Sequence, residues 1–188
     1  MTDLCDDIAL QGIVDLMNAE DPAANQNLDE LLQQFPEDPR LHFMRGSILV
    51  GEGQHIDAHA SLSRAVELAP DFNIARFQLG FFQLTSGEAE AALQTLEPLD
   101  AQLEEGHYLR LFALGLRYLI EDQFENAVQA LEAGIARNQE NAPLNRDMGL
   151  IIEECRPIIS KLNAVSEDTS VSETSLVLNQ FAQNGMQN

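Results

Sequence analysis

Residues 39–72 read PRLHFMRGSILVGEGQHIDAHASLSRAVELAPDF, and the placement of their small residues decides the fold. Gly46 sits in a first apolar run; Ala58 and Leu62 follow it by twelve and sixteen residues in a second run, and Pro70 closes the stretch. Gly51, Glu52 and Gly53 interrupt the two runs as a turn. Ala58 and Leu62 are four apart and so share one helical face. A glycine inside a helix costs about 1 kcal/mol relative to alanine, so Gly46 needs a packing reason. Two antiparallel helices that cross closely at a small residue supply it.

The same grammar recurs on both sides. Gly12, Gly46, Gly80, Gly115 and Gly149 are separated by 34, 34, 35 and 34 residues. Ala24, Ala58, Ala92 and Ala127 each follow a glycine by twelve residues, and Leu28, Leu62, Leu96 and Leu131 follow those alanines by four. Pro36 and Pro70 close the first two units, while Gly87 and Glu121-Asp122-Gln123 mark later turns. A fixed period of this length is the mark of a helix-pair array.

The pattern resembles the tetratricopeptide repeat family over residues 5–157. Units fall at 5–38, 39–72, 73–107 and 108–141, with a closing helix at 142–157, within a repeat domain spanning 1–157. The resemblance implies an all-α, right-handed helix-turn-helix solenoid of about four repeats. The chain departs from the family in lacking its early Trp, in the diluted apolar face around Asp15 and Asn18, and in Pro98, which is expected to end or kink a helix near Glu97. Residues 158–188 form a tail. Its segment 163–175 has no hydrophobic period and reads as a flexible linker, and 176–181 is a short apolar segment.

In such an array the first helix of each unit lines the concave face. The positions neighbouring each glycine give a candidate protein-binding groove: Ile13 and Met17; Phe43 and Val50; Phe77, Phe81 and Leu84; and Phe112, Leu116, Leu119 and Ile120. Members of the family that grip a peptide carboxylate use Lys, Arg and Asn there, whereas this chain has apolar residues on that face and a single lysine, Lys161. The expected function is therefore a non-catalytic adaptor that holds an apolar peptide or helix of a partner. Two alternatives are a small acidic secretion-type chaperone and a structural subunit that self-associates through the apolar face. Leu176, Val177, Leu178 and Phe181 are candidates for docking into the groove from the tail.

Charge narrows the partners. Ten Lys and Arg against 31 Asp and Glu give a net charge of −21, which disfavours nucleic acid and anionic membrane surfaces. Residues 1–39 hold ten acids and no base, a rim suited to a partner whose apolar segment has basic flanks; homo-oligomerisation is a further option. No run is long and apolar enough to span a membrane, the first residues are acidic where a secretory leader is basic, and Cys5 and Cys155 have no metal spacing, so a cytoplasmic protein with reduced thiols is expected. His55 and His59 stand four apart, but Ile56 occupies the place of a metalloprotease glutamate, so packing is the expected role. No cofactor or metal is expected.

Overall fold

The computed structural model describes residues 4–184, with side-chain surroundings through residue 164. It is all-helical among the described residues. The helices are α1 (Asp7–Asn18), α2 (Ala23–Gln34), α3 (Pro39–Gly51), α4 (His55–Leu68), α5 (Asn73–Thr85), α6 (Ala89–Leu96), α7 (Leu99–Gln102), α8 (Tyr108–Ile120), α9 (Phe124–Arg137) and α10 (Ala142–Asn184). The chain divides into two compact units, Met1–Ala113 and Leu114–Asn188.

Within the first unit, α3 pairs with α4, and α5 pairs with α6. A Cβ placed on Gly46 would lie 2.6 Å from Leu62 Cγ, and one on Gly80 would lie 2.6 Å from Leu96 Cγ. Both leucines are buried, as are Ala58 and Ala92 on the same helices. The repeated small residue is therefore what lets each pair close. In the second unit, Gly115 meets Leu131 in the same way, with Leu131 Cδ2 2.6 Å from its ideal Cβ.

The turns inside the pairs share one geometry. Gln54 N–H donates to Leu49 O at 2.9 Å, Glu88 N–H to Gln83 O at 2.8 Å, and Gln123 N–H to Tyr118 O at 2.8 Å. Each such bond satisfies a carbonyl at a helix end and requires a left-handed residue just before the donor. Gly53 (φ 72°) and Gly87 (φ 84°) provide it, Asp122 (φ 58°) takes the equivalent position between α8 and α9, and Glu20 (φ 52°) does so between α1 and α2.

Pro98 acts as expected. α6 stops at Leu96, and Pro98 caps the short α7. Pro157, in contrast, lies within α10, which continues to Asn184. The segments 163–175 and 176–181 fall within that span, and the side chains of Leu176, Val177, Leu178 and Phe181 lie outside the described surroundings.

Unit one of the repeat departs from its register. Gly12 shares the offsets of Gly46, Gly80 and Gly115, but an added Cβ there would meet nothing within 4 Å, and the same holds for Gly149. The reason for Gly12 lies in α1 itself. Its larger Leu10 and Ile13 turn inward and pack with Cys5, Leu28 and Leu41, which carries Gly12 to the outside.

Candidate functional site

The groove residues begin on α3 and α5. Asp38 caps α3, accepting from Arg40 N–H at 2.9 Å, and Pro39 fills the first helical turn. From that start, Phe43 and Val50 stand half-buried over a cluster of Leu49, Ala58, Leu62, Leu79 and Phe82. The Phe43 ring meets Phe72 edge-on, with centroids 5.3 Å apart. On α5, Phe77 is buried and supports half-buried Phe81 at 6.2 Å. Phe77 also packs 6.0 Å from Phe112, which Tyr108 meets at 5.9 Å. Leu84 is half-buried on the same helix.

Sequence position alone does not separate support from surface in this set. Ile13, Phe77, Phe112 and Leu116 are buried, whereas Met17, Phe43, Val50, Phe81, Leu84, Leu119 and Ile120 keep part of their surface open. Ile13 and Met17 belong with the α1–α2 cluster, and Phe43 and Val50 belong with the cluster around Leu79 and Phe82. Phe77, Phe81 and Phe112 form the aromatic group between α5 and the first turns of α8. In the second unit, Leu116 is buried, and Leu119 and Ile120 are half-buried.

His55 and His59 lie with ring centroids 6.0 and 6.2 Å from Phe82, a packing contact for both. Among the described residues, no group of three or more His, Cys, Asp or Glu is arranged to hold a metal ion. Both cysteines are free and buried. Burial, followed by the nearby Asp6 and Asp38 charges, raises the Cys5 thiol pKa; burial and then Glu154 raise that of Cys155. Neither thiol is an activated nucleophile.

Three features escaped the sequence reading. The first is a polar pin between the N-terminal segment and α3. The Asp38 carboxylate is completely buried and accepts from Cys5 N–H at 3.0 Å, Arg40 Nε at 3.0 Å and Arg40 Nη2 at 2.7 Å. Arg40 Nη1 also reaches Asp7 at 3.0 Å. Burial opposes the Asp38 charge, but the hydrogen bonds from Arg40 and Cys5 outweigh it and hold this carboxyl below its usual pKa. A carboxylate and a guanidinium two residues apart are common, so the distant partners Cys5 and Asp7 single this pair out.

A second missed feature is the α9–α10 corner. Buried Asn138 donates to Asn141 O at 2.9 Å and Asn145 Oδ1 at 2.8 Å, and Asn141 caps α10 by accepting from Leu144 N–H at 3.0 Å. The third is a crevice between α1 and α2 of about 270 Å³. One wall carries Ala9, Gly12, Ile13 and Leu16, and the other Asn27, Glu30, Leu31 and Gln34. Each set is spaced i, i+3, i+4, i+7, the stripe that one face of a helix presents.

Among the described residues the elements are helix pairs, three of them closed by a glycine of one helix against a leucine of the next. Residues 49–114 match the tetratricopeptide repeat family. No curated protein matches it. Among solved structures, MamA 41-end from Desulfovibrio magneticus RS-1 aligns over 86% of this chain and 94% of its own, with TM-score 0.55 and 18% identity. The MamA RS-1 ArsTM double mutant aligns over the same shares at TM-score 0.56 and 18% identity. These likenesses concern the fold.

Proposed function

We propose that this protein is a non-catalytic adaptor whose tetratricopeptide repeats hold an apolar peptide or helix of a partner protein. The supporting observation is the aromatic group on α5, where half-buried Phe81 stands on buried Phe77 beside half-buried Leu84. Its ring is fixed from beneath and still has surface to offer, so an incoming apolar side chain would find a preorganised seat. Phe43 and Val50 on α3 extend the same character. No helix among the described residues is long and apolar enough to cross a membrane. The fold and the two raised, buried thiols favour binding over chemistry.

Affinity capture from the source cell, followed by identification of the bound protein, tests this function. Phe81→Ser with Leu84→Ser should abolish capture while the helical circular dichroism is retained. Ile56→Ser, at a residue 86% exposed on α4, should leave capture intact. Capture indifferent to the Phe81/Leu84 pair would remove the groove from the function.

A further inference from the structure

The α1–α2 crevice opens on the outward side of α1, where Gly12 lies, while Leu10 and Ile13 pack inward with Leu28. At Gly46, Gly80 and Gly115, the side chains of Leu62, Leu96 and Leu131 occupy the space above the glycine. At Gly12 nothing lies within 4 Å of the position a Cβ would take. The opening is about 270 Å³, larger than the cavity of about 150 Å³ that suffices for a benzene-sized group. Its α1 wall is apolar through Ala9, Ile13 and Leu16, whereas its α2 wall offers one apolar residue, Leu31, beside the exposed Glu30. A groove running along two helical stripes, apolar on one side and polar with the single carboxylate of Glu30 on the other, matches a third helix with an apolar edge and a basic edge.

Charge selects the occupant. Residues 1–39 carry ten acids and no Lys or Arg. A second copy of this chain would bring the same acids against them, and the tail from residue 158 carries three acids against Lys161 alone. Both occupants meet like charge, while a basic helix gains long-range attraction and a faster encounter. We propose that the α1–α2 crevice is a docking site for a basic amphipathic helix of a partner protein, which seats one large aliphatic side chain over Gly12 and sets its Lys or Arg residues against Glu30. The site is separate from the groove around Phe81 and does not rest on it.

The probe is a labelled amphipathic peptide of about eighteen residues, with leucines on one helical face and lysines elsewhere, titrated into the full chain at about 150 mM salt. Saturable binding is expected, and a scrambled peptide of the same composition should bind at least about tenfold more weakly. Gly12→Leu should fill the crevice, keep the melting temperature at or above that of the parent, and weaken the peptide at least about tenfold. Glu30→Lys, at an exposed position that leaves the fold undisturbed, should weaken it and reduce its salt dependence. Ile56→Ser, at an exposed position on α4 outside both sites, should leave the affinity unchanged. The proposal is overturned by no saturable binding up to about 1 mM, by equal binding of the scrambled peptide, or by unchanged affinity in Gly12→Leu. Loss in Phe81→Ser would move the peptide to the groove. Tighter binding in Phe181→Ser would make the tail the occupant, and a dimer abolished by Gly12→Leu in sedimentation would make it a second copy. Each of these three results also overturns the proposal.

Discussion

Gly80 and Leu96 meet so closely that a Cβ on the glycine would sit 2.6 Å from Leu96 Cγ and 2.7 Å from Cδ2. Leu96 is 1% exposed, and its Cγ is a branch point near its own backbone, so it has no room to withdraw. Gly80→Ala should therefore lower stability by roughly 1–2 kcal/mol, although alanine is the better helix former by about 1 kcal/mol. Gly80→Leu should cost more. Gly12→Ala, facing open space, should instead raise stability by up to about 1 kcal/mol. Urea denaturation of the three variants checks the order, and equal effects at positions 12 and 80 would refute the close crossing.

The α8–α9 turn places a non-glycine residue where the α3–α4 and α5–α6 turns place glycine, as Glu20 does between α1 and α2. Asp122 has φ 58°, against 72° at Gly53 and 84° at Gly87. Asp122→Gly removes the Cβ penalty of the left-handed conformation and should stabilise the second unit by about 0.5–1 kcal/mol. Gly53→Ala and Gly87→Ala should destabilise by a similar amount. Thermal melts of the three single variants separate this from any general effect of glycine on the unfolded chain.

The pin at Asp38 makes stability depend on pH in a definite direction. The carboxyl titrates below its usual value because the Arg40 and Cys5 hydrogen bonds outweigh its burial. The folded state thus binds this proton more weakly than the unfolded state. The associated stability is fully present above the ordinary aspartate range, near pH 4, and is lost as pH falls through the lower folded value. Asp38→Asn should cost about 1–3 kcal/mol at neutral pH, since the charged hydrogen bonds to Arg40 go with it. It should also flatten the acid side of the stability curve below about pH 4 relative to the parent. Denaturation across that range decides it; a variant as steep as the parent would exclude Asp38 as the source.

Cys5 and Cys155 are each 3% exposed, with thiol pKa values raised first by burial. Both should react with a thiol reagent far more slowly in the native protein than in denaturant at neutral pH. The Cys5 signal should speed up in Asp38→Asn, which leaves one acceptor oxygen in place of two, removes the charge paired with Arg40 and loosens the N-terminal segment. Mass spectrometry of timed alkylation reads the two sites apart. Fast native labelling of either would contradict its burial.

The amino-acid sequence by itself determined the helix pairs, their period and the close crossings at Gly46, Gly80 and Gly115. Those features are written into each helix and its immediate neighbour: a small residue, an alanine and a leucine at fixed offsets leave only one way for two short helices to approach. Pro98 was legible for the same reason, since its ring acts on the turn that precedes it. Tertiary structure alone decided the fate of Gly12, which has the same offsets to Ala24 and Leu28 yet faces outward. Its helix is oriented by Leu10 and Ile13 and by a hydrogen bond from Cys5 to Asp38 across 33 residues, a contact no local pattern announces. Burial also divided residues of one register. Phe77 and Phe81 lie one turn apart on α5, but only Phe77 is closed over, with Phe112 packed beside it. Which apolar residue remains available to a partner depends on which neighbour arrives, and that is settled by packing between helices distant in sequence.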